Sequence, residues 1–450
     1  MQPASAPGAP RPVGQTLNEP DRLMHVAHRA LRALGCPGFL CQTHVWLDGA
    51  LDEARLQDAL ARLAARHPVV TARLHDAGRR AEVVWRYQPD ASCHAEIIAL
   101  ADDAEAAVHD QAAAIMARPT DLAEQPPITF HLLRRPSGRD VFVLQWVHAL
   151  MDGKAPEFVL REIIRLSEMA GPSSETPGAD DPGDVGVVLN RYSKWTRRKA
   201  AWRVVRSHIR LPVRSITLEP PAKPEWVFAP VRMAARTLSL DDSAAVLARS
   251  KRLCGIPNLT PAILASAYRI ISRLSERPQG RGAEFRTDVP LNLRPPGAVR
   301  PIFRNYMSFI SLRATFDELG NRDELTSALN RRMRGELVRQ TDLGNLTWMA
   351  WLSRKPPAIL EGHLAGRMQK HPLTLGFGFL GPVTAGLESF LGAAVGQVRT
   401  FNLAMSPPGL TLQANVCKER INLNVTYVEK VVPQHTAEAF LDGMAGDLVK

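Results

Sequence analysis

The sequence predicts a mixed α/β fold, either α/β or α+β with large mixed sheets. Three observations lead there. Segments with strand and helix patterns alternate along both halves of the chain, as they do where helices cover sheets. The 450 residues, 45% hydrophobic and 22% charged, have the composition of ordinary globular domains. Their length suits about two or three such units. No period of roughly 20 to 50 residues recurs, which excludes a solenoid.

The elements follow in order. Residues 1–16 are rich in Pro, Ala and Gly without an apolar run, so they read as a disordered tail and not as a secretory signal. Thr43, Val45 and Leu47 alternate as a strand and lead through Asp48-Gly49 into a helix. There Leu56, Leu60 and Leu63 share one face, acidic residues fill the first turn and Pro68 follows the end. Segments 69–74 and 81–87 have strand composition, and 101–116 is an Ala-rich helix. Strands are expected at 129–133 and 141–147, then a helix at 157–169 with Phe158, Ile163 and Leu166 inward.

Residues 171–186 read GPSSETPGADDPGDVG, acidic and full of turn formers. A linker at 171–189 therefore divides a first half, 17–170, from a second, 190–450. In the second half Leu240-Asp241 opens a helix. Thr260 is expected as an N-cap, with Pro261 in the first helical position of an apolar helix running to Leu274. Strands are expected at 285–291, 306–312, 376–380, 410–416 and 421–427, and a helix at 436–449 closes the chain.

The net charge of +11 is concentrated. Between Arg191 and Arg214 the chain holds nine Lys or Arg and no Asp or Glu. Within that run Tyr192, Trp195, Trp202, Val205 and Ile209 recur at helical spacing, among Arg197, Arg198 and Lys199. The aromatic stripe could pack on the core while the charges are solvated. It could lie on an anionic membrane face, or the helix could dock an acidic partner such as a carrier protein or cofactor phosphates. Nucleic acid is set aside, because no nucleic-acid motif accompanies the patch. The sequence does not choose among the first three.

Several chemistries are excluded by the absence of their motifs. Five cysteines form no CxxC pair and no export signal precedes them, so reduced thiols and a cytoplasmic location are expected, with peripheral attachment to the inner membrane face if the basic helix binds lipid. No apolar run approaches the roughly 18 to 20 residues of a membrane span. Gly376, Gly378 and Gly381 spell GxGxxG, but within an apolar strand-like stretch ending at Pro382. A tight turn or close backbone packing is the reading, not a dinucleotide site. His25 and His28 lack a third ligand nearby. With no P-loop, HExxH or GxSxG, no metal or bound cofactor is expected.

One stretch stands apart, QWVHALMDGKAPEF at 145–158. His148 ends an apolar strand, Asp152 and Gly153 follow, and a helix begins soon after. A core histidine before an Asp-Gly turn is the ordinary explanation. The chemical one is that imidazole, with a free pKa near ~6.5, is a good general base at neutral pH. An aspartate four residues on, beyond a turn, suits pinning that turn through a basic partner, and Gly153 would allow a sharp bend.

The stretch resembles the HxxxDG signature of the chloramphenicol-acetyltransferase-like acyltransferases, which include condensation domains, wax-ester synthases and polyketide-associated acyltransferases. Residues 47–74 resemble that family's opening strand, helix and His-Pro segment, and 118–134 the stretch before the motif strand. DVPLNLRPP with RNYMSFISLR, 288–313, resembles the mid-chain strand pair; LGPV at 380–383 and the run 410–448 resemble the C-terminal end. The resemblance implies two similar halves meeting along a V-shaped cleft with a central tunnel. It implies His148 as general base, Asp152 as a structural residue paired with Arg294, and Asn305 beside the channel. Departures are Val147 where many relatives have a first histidine, Ala155 where condensation domains often have serine, and Gly378-Phe379 in place of a common Ser-Asn. No oxyanion donor is assigned.

The implied function is a standalone acyltransferase, since no adenylation or carrier domain is fused. It would move an acyl group from a coenzyme A or carrier-protein thioester to a hydroxyl or amine in lipid or secondary-metabolite biosynthesis. No permanently bound cofactor is expected, and a monomer is the default. The alternative is a catalytically silent relative that docks a carrier protein or membrane. Hydrolysis at the same site is a third option.

Overall fold

The computed structural model describes residues 13–76, 83–88, 91–169, 185–209, 215–218, 230–275, 283–356, 359–362, 373–383 and 386–450. The first half comprises β1 (Gly14–Thr16), α1 (Glu19–Ala33), β2 (Leu40–Leu47), α2 (Glu53–Arg66), β3 (Arg73–His75), β4 (Val84–Arg86), β5 (Ala95–Ala99), α3 (Glu105–Met116), β6 (Ile128–Arg134), β7 (Val141–Val147) and α4 (Ala155–Glu168). Two helices follow, α5 (Gly186–Asn190) and α6 (Lys194–Ile209). The second half comprises β8 (Val231–Thr237), α7 (Leu240–Cys254), α8 (Thr260–Leu274), β9 (Phe285–Asn292), β10 (Met307–Ala314), α9 (Arg322–Val338), α10 (Thr341–Leu352), β11 (Gly376–Pro382), β12 (Ser389–Phe390), β13 (Ala393–Asn402), β14 (Leu410–Cys417), β15 (Arg420–Val428) and α11 (Gln434–Val449). The class is mixed α/β, as the alternation predicts.

Two sheets organise the halves. The first runs β12-β13-β2-β7-β6-β5 and the second β11-β14-β15-β8. Strand β7 lies centrally in the first, antiparallel to both β2 and β6. All seven of its residues are buried, which explains why VFVLQWV reads as a continuous apolar run and not an alternation. Its one polar residue, Gln145, is satisfied by Gln42 Nε2 at 2.8 Å. Strands β9 and β10 pair antiparallel with Met307 opposite Asn292. The loop between them, residues 293–306, is closed at its base by Leu293 N donating to Tyr306 O at 2.9 Å.

The structure corrects several expectations. Residues 14–16 are not part of a disordered tail: β1 pairs with β4, and Gln15 Nε2 donates to Phe303 O. Helix α1 lies where no element is expected. Asn18 and Asp21 form its capping box, while buried Asp21, His25 and His28 interrupt the apolar pattern that would reveal it. Segment 69–74 is a 3-10 turn, Pro68–Thr71, before short β3. Thr260 is the first helical residue of α8 and Leu259 its cap. The strands β8 and β13 and the helices α9 and α10 also lie where no element is expected.

The division into halves is not contiguous in sequence. Strands β12 and β13 lie in the expected second half, yet β13 pairs with β2 and extends the first sheet. Within the expected linker, 171–184 lies outside the described residues, but Val185 and Leu189 are buried with Tyr306 and the apolar face of α10. Gly376 and Gly378 are sites of close packing. A Cβ on Gly376 would stand 2.6 Å from Thr411 Oγ1, and one on Gly378 would strike the Gln413 side chain. Gly381 takes a left-handed φ of +70° where the β11 register shifts.

Candidate active site

The chain turns sharply after β7. His148 N donates to Phe39 O at 2.9 Å, and Leu150 N closes on Val147 O. Trp146 Nε1 reaches Met151 O at 3.2 Å, and Asp152 Oδ1 accepts from Lys154 N at 3.1 Å, shaping the entry to α4. Gly153 serves close approach and not a left-handed bend. A Cβ there would lie 3.2 Å from Leu380 Cδ2, and its φ is outside the left-handed region. The His-Pro segment is tied to the same helix, because His67 Nε2 meets Glu162 Oε1 of α4 at 3.0 Å.

The β9–β10 loop meets this turn from the second half. Arg294 Nη1 lies 2.7 Å from Asp152 Oδ2, and Tyr306 N donates to the same oxygen at 2.8 Å. Arg294 also gives Nε and Nη2 to Pro301 O at 2.9 and 2.8 Å. Its side chain is wholly enclosed, with the guanidinium carbon 5.6 Å from the Phe158 ring centre and 6.0 Å from that of Tyr306. A buried ion pair loses hydration that only close geometry and further hydrogen bonds repay. Here both ions have those bonds, so the pair staples the motif turn to the second half.

Asn305 decides the state of His148. Its Nδ2 donates to Asp21 Oδ1 at 2.9 Å and to His148 O at 2.6 Å, so its Oδ1 is the acceptor facing His148 Nδ1 at 3.0 Å. The Nδ1 position must then carry the proton, which leaves the lone pair on Nε2. Burial lowers the pKa of His148 below its ordinary 6.5, against the raising effects of a hydrogen bond to its own backbone, of Asp152 and, least, of the Asn305 hydrogen bond. The Phe39 ring stands 4.8 Å from the imidazole. The result is a neutral, oriented imidazole able to take a proton on Nε2.

Asp21 is the residue that sequence reasoning missed. Its Oδ1 also accepts Asn305 N at 2.7 Å, and Arg304 Nη1 stands 3.4 Å from Oδ2. Burial, only partly offset by Arg304 and the hydrogen bonds from Asn305 and Asn18, raises its pKa from 3.8 to about 7. The available signal was Asn18 three residues before Asp21, a helix-start pattern. Nothing local marks its partner, 284 positions away.

His148, Asp152, Gly153, Arg294 and Asn305 thus lie together, whereas the basic helix lies elsewhere. Trp195, Arg197, Arg198, Lys199 and Trp202 belong to α6, which packs on α10. The reading in which its aromatic stripe packs on the core is overturned: Trp195 and Trp202 are exposed, and the small residues Ala200 and Val204 make the contact. Residues 210–214 of the basic run lie outside the described residues, as does the Ile209 side chain. Among the described residues no group of His, Cys, Asp and Glu could hold a metal ion, and no helix is long and apolar enough to cross a membrane. The five cysteines are buried and free, and burial pushes the Cys36 thiol up to about 11.

Comparison with known proteins agrees with this architecture. Residues 38–200 match the Condensation domain family model. An uncharacterized protein of Mycobacterium tuberculosis is 24% identical over 336 residues, 72% of this chain and 73% of the relative. The first condensation domain of the calcium-dependent antibiotic synthetase, in complex with a substrate analogue, superposes with a TM-score of 0.70 at 15% identity. That match covers 98% of this chain and 97% of the other. A variant of the starter condensation domain of rhizomide synthetase, in complex with C8-CoA and Leu-SNAC, gives 0.66 at 14% identity over 97% and 95%. The trichothecene 15-O-acetyltransferase of Fusarium sporotrichioides gives 0.70 at 11% identity, also over 97% and 95%. The chain has the fold of these condensation domains and of this acetyltransferase.

Proposed function

We propose, for a chain with the condensation-type acyltransferase fold, that it transfers an acyl group from a thioester to a hydroxyl or amine acceptor with His148 as general base. One observation carries the reading: a buried, neutral imidazole whose Nδ1–H is held by Asn305, while no described residue hydrogen-bonds Nε2. An acceptor O–H or N–H gives its proton to Nε2 as its oxygen or nitrogen attacks the thioester carbonyl. The tetrahedral intermediate collapses with cleavage of the carbon–sulfur bond, and the leaving thiolate recovers the proton from Nε2. The products are an ester or amide and a free thiol. No covalent acyl-enzyme is needed.

Asp152 and Arg294 hold the turn that presents His148, and Asn305 fixes its tautomer. The donor is a thioester of coenzyme A or of a carrier protein. The starter condensation domain in complex with C8-CoA and the acetyltransferase among the similar structures support an acyl donor of this class. The test is thiol release from acyl-CoA thioesters of graded length, with pooled alcohol and amine acceptors, repeated with acylated carrier protein. Acceptor-dependent release should fall by about 10²- to 10⁴-fold in His148→Ala, the usual worth of a positioned base. Release without acceptor would mean hydrolysis. Silence with both donor types would mean that the site is dead.

A further inference from the structure

Away from the site, α6 turns an aromatic and basic face to solvent. The helix packs through Ala200 and Val204, both buried, so closely that a side chain at Gly344 of α10 would run into the Ala200 carbonyl. At 3.6 residues per turn, Trp195 and Trp202 stand a heptad apart on the opposite side. They are 75% and 62% exposed. Arg198, Lys199 and Arg206 flank them there, and the helix, KWTRRKAAWRVVRSHI, has no acidic residue. The Arg206 guanidinium lies 5.4 Å from the Trp202 ring centre. Among the described residues Arg198 and Lys199 have no carboxylate partner, unlike Arg232 and Arg236, which pair with Glu429 and Asp442. On α10, Trp351 lies a heptad beyond Gly344, on the side turned to α6. It is 55% exposed, with the Lys355 ammonium 4.3 Å from its ring centre.

We propose that this face docks on the surface of an anionic phospholipid bilayer. Indole rings partition to the boundary between headgroups and acyl chains, while Lys and Arg beside them meet anionic headgroups. The tryptophans stand exposed on the outer side of the helix, away from its contact with α10. That arrangement suits insertion between lipids better than the pocketed anchors of a protein interface. The helix that α6 packs on is linked to the site. Asn345 of α10 donates to Phe309 O of β10, and Tyr306, whose amide holds Asp152, packs in the same apolar cluster as Leu343 and Leu346.

The test is co-sedimentation with phosphatidylcholine vesicles, with and without phosphatidylglycerol, at low and raised salt. The protein should bind the anionic vesicles and release them as salt rises. Trp195→Ala/Trp202→Ala should weaken binding by at least about tenfold, with the circular dichroism unchanged. Arg198→Ala/Lys199→Ala should cost about fivefold per residue on anionic vesicles and nothing on neutral ones. Failure of the unaltered protein to bind, or equal binding by the tryptophan variant, would overturn the proposal. So would binding of a purified holo acyl carrier protein, lost in the same variants, without binding to vesicles. Thiol release from water-soluble acyl-CoA should persist in both variants, so the outcome is independent of the acyl-transfer reading.

Discussion

Asp152 and Asp21 hold adjacent amides of the β9–β10 loop, Tyr306 N and Asn305 N, at 2.8 and 2.7 Å. Both are buried and both tie the first half to the second, yet they are built differently. Asp152 faces a fully enclosed guanidinium at 2.7 Å. Asp21 has its cation, Arg304, only at 3.4 Å, and its closer partners are neutral amides. The first carboxylate is matched charge for charge. The second is matched by dipoles, and burial accordingly raises its pKa to about 7. One device holds the halves together, and the other aims Asn305 at the imidazole.

If that division of labour is right, the largest effect on stability belongs to the first device. Arg294→Ala would leave Asp152 buried without its counter-ion, and removing one member of such a pair costs about 3–5 kcal/mol. Arg294→Lys should recover only part of this, because an ammonium cannot serve Asp152 and Pro301 O together as the fork does. Urea unfolding of the three proteins measures the cost. A loss below about 1 kcal/mol for the alanine variant would show that the pair is no staple.

Asn305→Ala should act mainly on rate. Loss of the Nδ1 acceptor frees the ring, and misorientation on this scale costs on the order of 10²-fold in kcat, with KM little changed. The variant should also carry a titration signature. Because the Asn305 hydrogen bond raises the pKa of His148, its loss should move the acid limb of kcat/KM to lower pH. In the unaltered protein that limb already lies below 6.5, since burial favours the neutral ring. A lower rate with an unmoved limb would reduce Asn305 to a packing role.

The two devices were unequally legible in the sequence, for a physical reason. His148, Asp152 and Gly153 sit in one short segment after a strand buried on both faces, so pattern and motif coincide. Arg294 and Asn305 came into view only through the resemblance of the LNLRPP and RNY segments, because nothing in their own spacing points to residues more than 140 positions away. Asp21 carried no such mark. Its helix was hidden by the buried polar residues that make it useful. Strand β13 was hidden likewise, following the first-half fold in space while lying beside β14 in sequence. In α6 the aromatic stripe left an inward and an outward reading open, and the close approach of α10, which demands small residues at the contact, decides for the outward one.

The pH-dependent effect is the most specific to Asp21. Its pKa in the folded chain is about 7 and its ordinary value 3.8, so between those limits the folded state holds a proton that the unfolded state has lost. Stability then falls as pH rises from about 4 towards 7, with a slope from this group of at most about 1.4 kcal/mol per pH unit. Above 7 both states are ionised and the contribution is flat. Asp21→Asn keeps an oxygen for the Asn305 amides but cannot ionise, so it should abolish this fall while leaving the Arg294-dependent stability intact. Urea unfolding of the two proteins at pH 4.5, 6 and 7.5 measures the difference. Parallel pH dependences would mean that Asp21 does not ionise within that range, and the contrast with Asp152 would lose its electrostatic basis.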